Sequence, residues 1–229
     1  MEHKTLKLQI QELQDDVVTL AKLVGDAVLI AATALKNDDL DTAQSVIKND
    51  ILINSLRFEI ESGTIAVVAT QQPEDHDLRH LTSIMDLCIE LERIGDYAKG
   101  IANIHLRSGG LGLPKVLKDL CYMANKAVDM LRRAMQAFVQ EDVETGRSII
   151  REDDLIDDLY EQVYFEAMDL VVDNPANIER INYVLWVAHN LERVADRATN
   201  VCERTIFTAT GEISEFSLDE VERFTAEVQ

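Results

Sequence analysis

The chain contains the same pattern twice, and that most constrains what it can fold into. Leu91-Glu92-Arg93-Ile94-Gly95-Asp96-Tyr97-Ala98 returns 100 residues later as Leu191-Glu192-Arg193-Val194-Ala195-Asp196-Arg197-Ala198, identical at five of eight positions. Upstream, Asp39, Thr42, Ser45, Ile47, Asp50, Leu52, Ile53 and Leu56 pair with Asp142, Thr145, Ser148, Ile150, Asp153, Leu155, Ile156 and Leu159 at an offset of 103. Asp26, Ala31 and Ala34 keep that offset with Asp129, Ala134 and Ala137. The change from 103 to 100 places a three-residue indel near Gln71-Gln72-Pro73-Glu74-Asp75, where a proline followed by acids already marks a helix end and a helix start. A chain duplicated in this way folds as two copies of one unit.

Three apolar stripes define the unit. Leu13, Val17, Leu20, Val24, Ala27, Ala31 and Ala34 step by three and four, as one face of a helix does, and the run stops at Asn37-Asp38-Asp39. A second stripe follows through Ile53, Leu56, Ile60 and Val67, and a third through Leu81, Ile84, Leu87, Leu91, Ile94, Ala98 and Ile101. Ser108 to Pro114 then gathers three of the nine glycines and one of the three prolines, which marks a linker. Nine glycines, three prolines and 5% aromatic residues leave too few turns for an all-β or doubly wound fold. The expected fold is all-α: two tandem three-helix bundles, residues 1–107 and 114–207, related by the internal repeat and forming an elongated molecule. Each helix would span about 25 to 30 residues, or roughly 40 Å, with antiparallel neighbours. Residues 208–229 are expected to form a C-terminal tail or short helix.

Charge narrows the partners. Lys+Arg 22 against Asp+Glu 42 gives a net charge of −20, which offers no basic footprint for nucleic acid. Cys88, Cys121 and Cys202 form no Cys-x-x-Cys pair and suggest neither a disulfide framework nor a zinc knuckle, so a reducing cytoplasm is expected. The charged N-terminus carries no signal core, and the apolar stretch near Ala27 to Leu35 falls short of the ~20 residues needed to span a bilayer. Membrane contact is expected only through a partner.

The acids fall into a pattern. Glu92 with Asp96, Asp153 with Asp157, and Glu192 with Asp196 each stand four apart, one helical turn along a common face, and the fourth repeat-equivalent position has Asp50 with Asn54. All lie at the edge of an apolar stripe, where second and third helices can face one another. Each half could then gather two pairs into an oxygen-only cluster, which suits a hard cation such as Mg, Ca, Mn or iron. The plain alternative is a solvated acidic face, since a like-charge pair costs only ~0.2 to 0.5 kcal/mol on a helix surface. Neutralisation by Arg93, Arg193, Arg79 and Arg180 is another. His76 and His80 flank a helix start without a counterpart in the second half, and are read as solvated. His189 shares a face with Glu192 and Asp196, while the first half has Ile89 at that place. No GxxxxGK[ST], HExxH or GxSxG occurs, and the Glu-x-x-His of di-iron bundles is missing from the repeated sites.

The duplicated plan, with Asp50 to Leu56 and Asp153 to Leu159 each followed about forty residues on by Leu-Glu-Arg-x-x-Asp-x-Ala, resembles the PhoU family of phosphate-transport regulators. Asn190-Leu191-Glu192-Arg193, Ala198-Thr199-Asn200-Val201 and Thr210-Gly211-Glu212 extend the likeness to nearly the whole chain. The resemblance implies a non-enzymatic, cytoplasmic protein, peripheral at the inner face of the membrane, that helps keep the phosphate-starvation response off. It implies a homodimer acting as an adaptor between the ATPase of a phosphate ABC transporter and a membrane sensor kinase. It also implies divalent or trivalent metal ions, iron first and Zn, Mn or Mg next, on Asp50, Glu92 and Asp96 in the first half and on Asp153, Asp157, Glu192 and Asp196 in the second. Asn54, where the family tends to have Asp, weakens the first cluster, and Ala195 replaces the counterpart of Gly95. The alternatives are a metal-dependent carboxylate-bundle enzyme, a metal-storage protein, or an accessory of a low-affinity phosphate carrier.

Overall fold

A computed structural model describes residues 2–212, so a helix in the tail beyond Ile213 lies outside the described residues. Seven α-helices follow in order: α1 Glu2–Asn37, α2 Leu40–Gln71, α3 Asp75–Ser108, α4 Pro114–Gln140, α5 Val143–Arg151, α6 Asp154–Asp173 and α7 Ile178–Thr210. A 3-10 turn, Pro175–Asn177, joins α6 to α7. No strand occurs among the described residues.

The repeated residues at the first turn of each half share one job. Asp39 accepts a hydrogen bond from the Thr42 backbone N–H at 3.0 Å and another from its hydroxyl at 2.6 Å, and Asp142 accepts the same two from Thr145 at 3.0 and 2.6 Å. Each aspartate caps the helix that follows it, satisfying a donor that has no intrahelical partner. The preceding residues, Asp38 and Glu141, are also repeat counterparts, and both take left-handed conformations at φ 56° and 51°. Together they turn the chain sharply between the first and second helices of each half. In the linker, Gly109, Gly110 and Gly112 all have positive φ; a Cβ on Gly110 would stand 2.9 Å from the Asp38 carboxylate.

The second helix differs between the halves. α2 runs unbroken, whereas its counterpart is divided into α5 and α6 at Glu152 and Asp153. There the backbone tightens into i→i−3 bonds, Glu152 N–H to Ile149 O at 3.0 Å and Asp153 N–H to Ile150 O at 3.3 Å. Arg133 of α4 grips Glu152 through both carboxylate oxygens, which holds the turn against the bundle.

Rather than lying end to end, the halves pack side by side. α1 packs on α3, α3 on α7, α7 on α4 and α4 on α1, so four helices drawn from both halves close into a central ring. α2 flanks α1 and α3, while α5 and α6 flank α4 and α7. One continuous apolar core fills the ring, from Val17, Leu20 and Val24 of α1 to Val194, Ala198 and Val201 of α7. α1 is long and apolar enough over Leu6–Asn37 to meet the length and composition of a membrane span, which the shorter apolar stretch read from sequence did not suggest. Its apolar stripe, Val17, Leu20, Val24, Val28 and Ala31, is instead wholly buried within the bundle.

Contacts across the centre are reciprocal. Glu90 of α3 accepts a hydrogen bond from Asn200, the counterpart of Gly100, and Gly100 itself lies against Asn190, the counterpart of Glu90. Two equivalent surfaces that exchange partners in this way are related by a twofold axis, here a pseudo-twofold within one chain. Arg197 to Glu90 at 3.0 Å and Arg204 to Asp86 at 3.1 Å complete the seam.

Candidate functional site

The acid pairs fall where the second helix of each half lies along the third. In the first half, Asp50 is buried on α2, with Asn54 one turn on, and Glu92 and Asp96 lie on α3, which packs along α2. Lys99, one turn beyond Asp96, reaches across so that its Nζ lies 2.6 Å from Asp50 Oδ2. Asn54 Nδ2 donates to the same oxygen at 3.1 Å. Glu92 is held by Arg57 of α2, whose Nη1 lies 3.1 Å from Glu92 Oε1, while Arg57 Nε meets Glu61 at 3.0 Å. The hydrogen bond to Asp50 lifts the Lys99 pKa above the ordinary lysine value, and the charges of Asp96 and Glu92 add to it. One ammonium thus sits in the field of three carboxylates.

The second half carries the same carboxylates without those cations. Asp153 lies at the break between α5 and α6, Asp157 one turn along α6, and Glu192 and Asp196 on α7. Burial, followed by the charges of Asp196, Asp157 and Glu192, pushes the Asp153 carboxyl up to about 7. Burial and then Asp196 also raise Asp157 and Glu192. These mutual effects place the four groups in one electrostatic cluster. Among the described residues, no lysine or arginine ion pair reaches Asp153, Asp157 or Glu192. Arg197 stands 4.0 Å from Asp196 but is committed to Glu90 at 3.0 Å. The imidazole of His189, 3.1 Å from Glu192 Oε2, is the one basic group paired with Glu192, and its ring lies 6.4 Å from that of Tyr160. Apart from that histidine contact, Glu192 Oε2 has no hydrogen-bond partner.

The arginines that sequence offered as alternative neutralisers make their hydrogen bonds elsewhere, although, against the burial that raises the Glu192 carboxyl, the Arg193 charge still lowers it. Arg93 bonds Glu90, Arg193 donates to the Tyr97 hydroxyl, and Arg79 donates to the Thr208 carbonyl. The groups that neutralise the first cluster are Lys99 and Arg57. Their helical spacing was readable, because Lys99 follows Asp96 by one turn and Arg57 precedes Glu61 by one. Which acids they meet across the helix interface was not. The histidines divide: His76 is exposed as expected, but His80 is buried, and both turn toward Glu141, with nitrogen to oxygen distances of 2.9 and 3.6 Å. This cluster ties the start of α3 to the turn after α4. As the side chains stand, no group of three or more His, Cys, Asp or Glu among the described residues is arranged to hold a metal ion.

Chemically the two sites are unlike. The first is a network of ion pairs. The second is a patch of carboxylates in which Asp153 and Asp157 have no lysine or arginine ion pair, an oxygen-rich donor set of the kind a hard cation takes and without a paired nucleophile and base for covalent chemistry.

Comparison with known proteins agrees with the duplication. The PhoU domain family model matches twice, over residues 17–104 and 120–205. A phosphate-specific transport system accessory protein PhoU homolog of Aquifex aeolicus is 34% identical over 205 residues, covering 90% of this chain and 93% of that protein. One from Clostridium acetobutylicum is 29% identical over 212 residues, 92% and 97% of the two chains. The crystal structure of the phosphate transport system regulatory protein PhoU from Streptococcus pneumoniae superposes with a TM-score of 0.84 at 30% identity, covering 92% of this chain and all 100% of that one.

Proposed function

The chain belongs to the PhoU family, and from that membership we propose that it is a non-enzymatic regulator of phosphate uptake that represses the phosphate-starvation response when phosphate is plentiful. The observation that carries this reading is the family match to both halves together with relatives matched along nearly their full length. Those relatives are named as accessory proteins of the phosphate-specific transport system, which supports a transport-linked role without turnover. The protein works as an adaptor, in contact with the ATPase of a phosphate ABC transporter and with a membrane sensor kinase. It is cytoplasmic, peripheral at the inner face of the membrane, and acts as a homodimer. Ile51, Phe58 and Ile65, spaced by seven on α2 and all exposed, offer an apolar stripe in keeping with such pairing.

The second-half carboxylates fit the metal that the family implies. Asp153, Asp157, Glu192 and Asp196 would hold it, iron first, with manganese, magnesium or zinc as alternatives. What favours a cation is a set of four acids of which Asp153, Asp157 and Glu192 have no lysine or arginine ion pair, rather than a preformed cage. When bound, the metal would supply positive charge among the carboxylates of α6 and α7.

Deleting the gene in its host and measuring a phosphate-starvation promoter in phosphate-rich medium tests the regulatory role. Derepression is expected, restored by the wild-type gene. Promoter output unchanged by the deletion would remove the proposal.

A further inference from the structure

We propose that Lys99 is a built-in cation occupying the place of a metal in the first half, so that this chain takes up metal in its second half alone. The inference rests on the metal reading of the second half given above.

It begins from the repeat. Asp50, Asn54, Glu92 and Asp96 are the counterparts of Asp153, Asp157, Glu192 and Asp196, so the two sites are copies of one arrangement. Neighbouring positions distinguish them: Lys99 corresponds to Thr199 and Arg57 to Tyr160, while His189 and Arg197 of the second half stand where the first has Ile89 and Tyr97. In the first half those residues bring an ammonium to 2.6 Å from Asp50 and a guanidinium to 3.1 Å from Glu92. In the second, the Thr199 hydroxyl turns back to donate to the Asp196 carbonyl at 2.8 Å and leaves the carboxylates untouched. Tyr160 lies beside His189 and carries no charge to Glu192.

A metal entering the first site would have to share the Asp50 carboxylate with Lys99, which already holds its Oδ2. The Asp50 side chain is only 9% exposed, so the displaced ammonium would remain beside a dication or be driven into solvent with the carboxylate pair broken. Asn54 adds to the exclusion, because its amide nitrogen faces Asp50 and offers hydrogen atoms where a ligand oxygen would be needed. The first site is therefore satisfied by its own residues. In the second, His189 stands beside Glu192 and Arg197 is 4.0 Å from Asp196, but no lysine or arginine ion pair reaches Asp153 or Asp157, and an external cation can supply the charge those two acids lack.

The test exchanges the distinguishing residues between the halves. Full-length wild type, Glu92→Gln, Glu192→Gln, Lys99→Thr, Lys99→Thr with Asp50→Asn, and Thr199→Lys are each incubated anaerobically with Fe2+ and separately with Mn2+. They are desalted and analysed for metal per chain, with circular dichroism and thermal unfolding reporting the folded state. Glu92→Gln should keep the wild-type metal content, while Glu192→Gln and Thr199→Lys should lower it by about tenfold. Lys99→Thr should raise the content about twofold, with the gain removed by Asp50→Asn, and its melting temperature should become cation-dependent at the first site. Equal losses in Glu92→Gln and Glu192→Gln would overturn the proposal, as would a folded Lys99→Thr that gains no metal. If the wild type takes up none in either half, the metal reading of the second half fails by itself. A gain in Lys99→Thr would then still assign Lys99 its role, and no gain would overturn that too.

Discussion

Asp153 shows how one residue registers an unmet charge. Its carboxyl is raised to about 7 by burial and by four neighbouring acids, whereas in an unfolded chain it titrates near the ordinary value of ~3.9. Its folded state therefore binds the proton more tightly than its unfolded state between those two values. The stabilisation from protonated Asp153 is complete below the lower value and is lost as pH rises through about 7. In chelator-treated protein, thermal unfolding should show this contribution growing as the pH falls from 8 toward 5. Asp153→Asn should flatten the slope across that window and raise the melting temperature at pH 8. A slope unchanged by the substitution would mean that Asp153 is not the titrating group. Asp153 was identifiable from sequence as the counterpart of Asp50; its shifted proton affinity was not, because that depends on acids 39 and 43 residues away on α7.

At the scale of the element, the sequence was explicit. The caps at Asp39 and Asp142, the break at Pro73 and the glycine linker are local features, legible because a helix end is decided by a few adjacent residues. Apolar periodicity located α1, α2 and α3 for the same reason, and the repeat carried the plan into the second half. The split of the second-half helix into α5 and α6 escaped it. Arg133 gripping Glu152 from a neighbouring helix holds the break, and nothing in the period announces it. α5 has nine residues and carries Gly146 in its interior, where a methyl group would sit 3.6 Å from the Cys202 carbonyl oxygen, at ordinary contact. Gly146→Ala should thus stabilise the protein by about 1 kcal/mol, the helix propensity difference, measured by urea unfolding. A destabilised variant would show that α7 packs more closely there than the geometry indicates.

The whole molecule depends on the seam between α3 and α7. Glu90 is 14% exposed and receives Arg197, Asn200 and Arg93, so it anchors one half to the other. Removing it leaves the largely buried Arg197 without its partner, and Glu90→Ala should cost about 2–4 kcal/mol in equilibrium unfolding. Glu90→Gln, which retains an oxygen for Asn200 but no charge, should fall between. Losses below about 0.5 kcal/mol would place the seam's stability in its apolar contacts instead. Sequence by itself determined the helical class, the twofold duplication, the helix ends and the positions of the acid pairs, because each is set by spacing along the chain. The central four-helix ring and the reciprocal α3 to α7 contacts were decided by how apolar faces meet. So was the identity of the cation beside each carboxylate. Asp50 and Lys99 lie 49 residues apart, and only the register of α2 against α3 brings them within 2.6 Å. Two copies with nearly the same acids thereby became one site closed by its own lysine and one whose Asp153 and Asp157 have no lysine or arginine ion pair, since Coulomb attraction follows distance in space and not order in sequence.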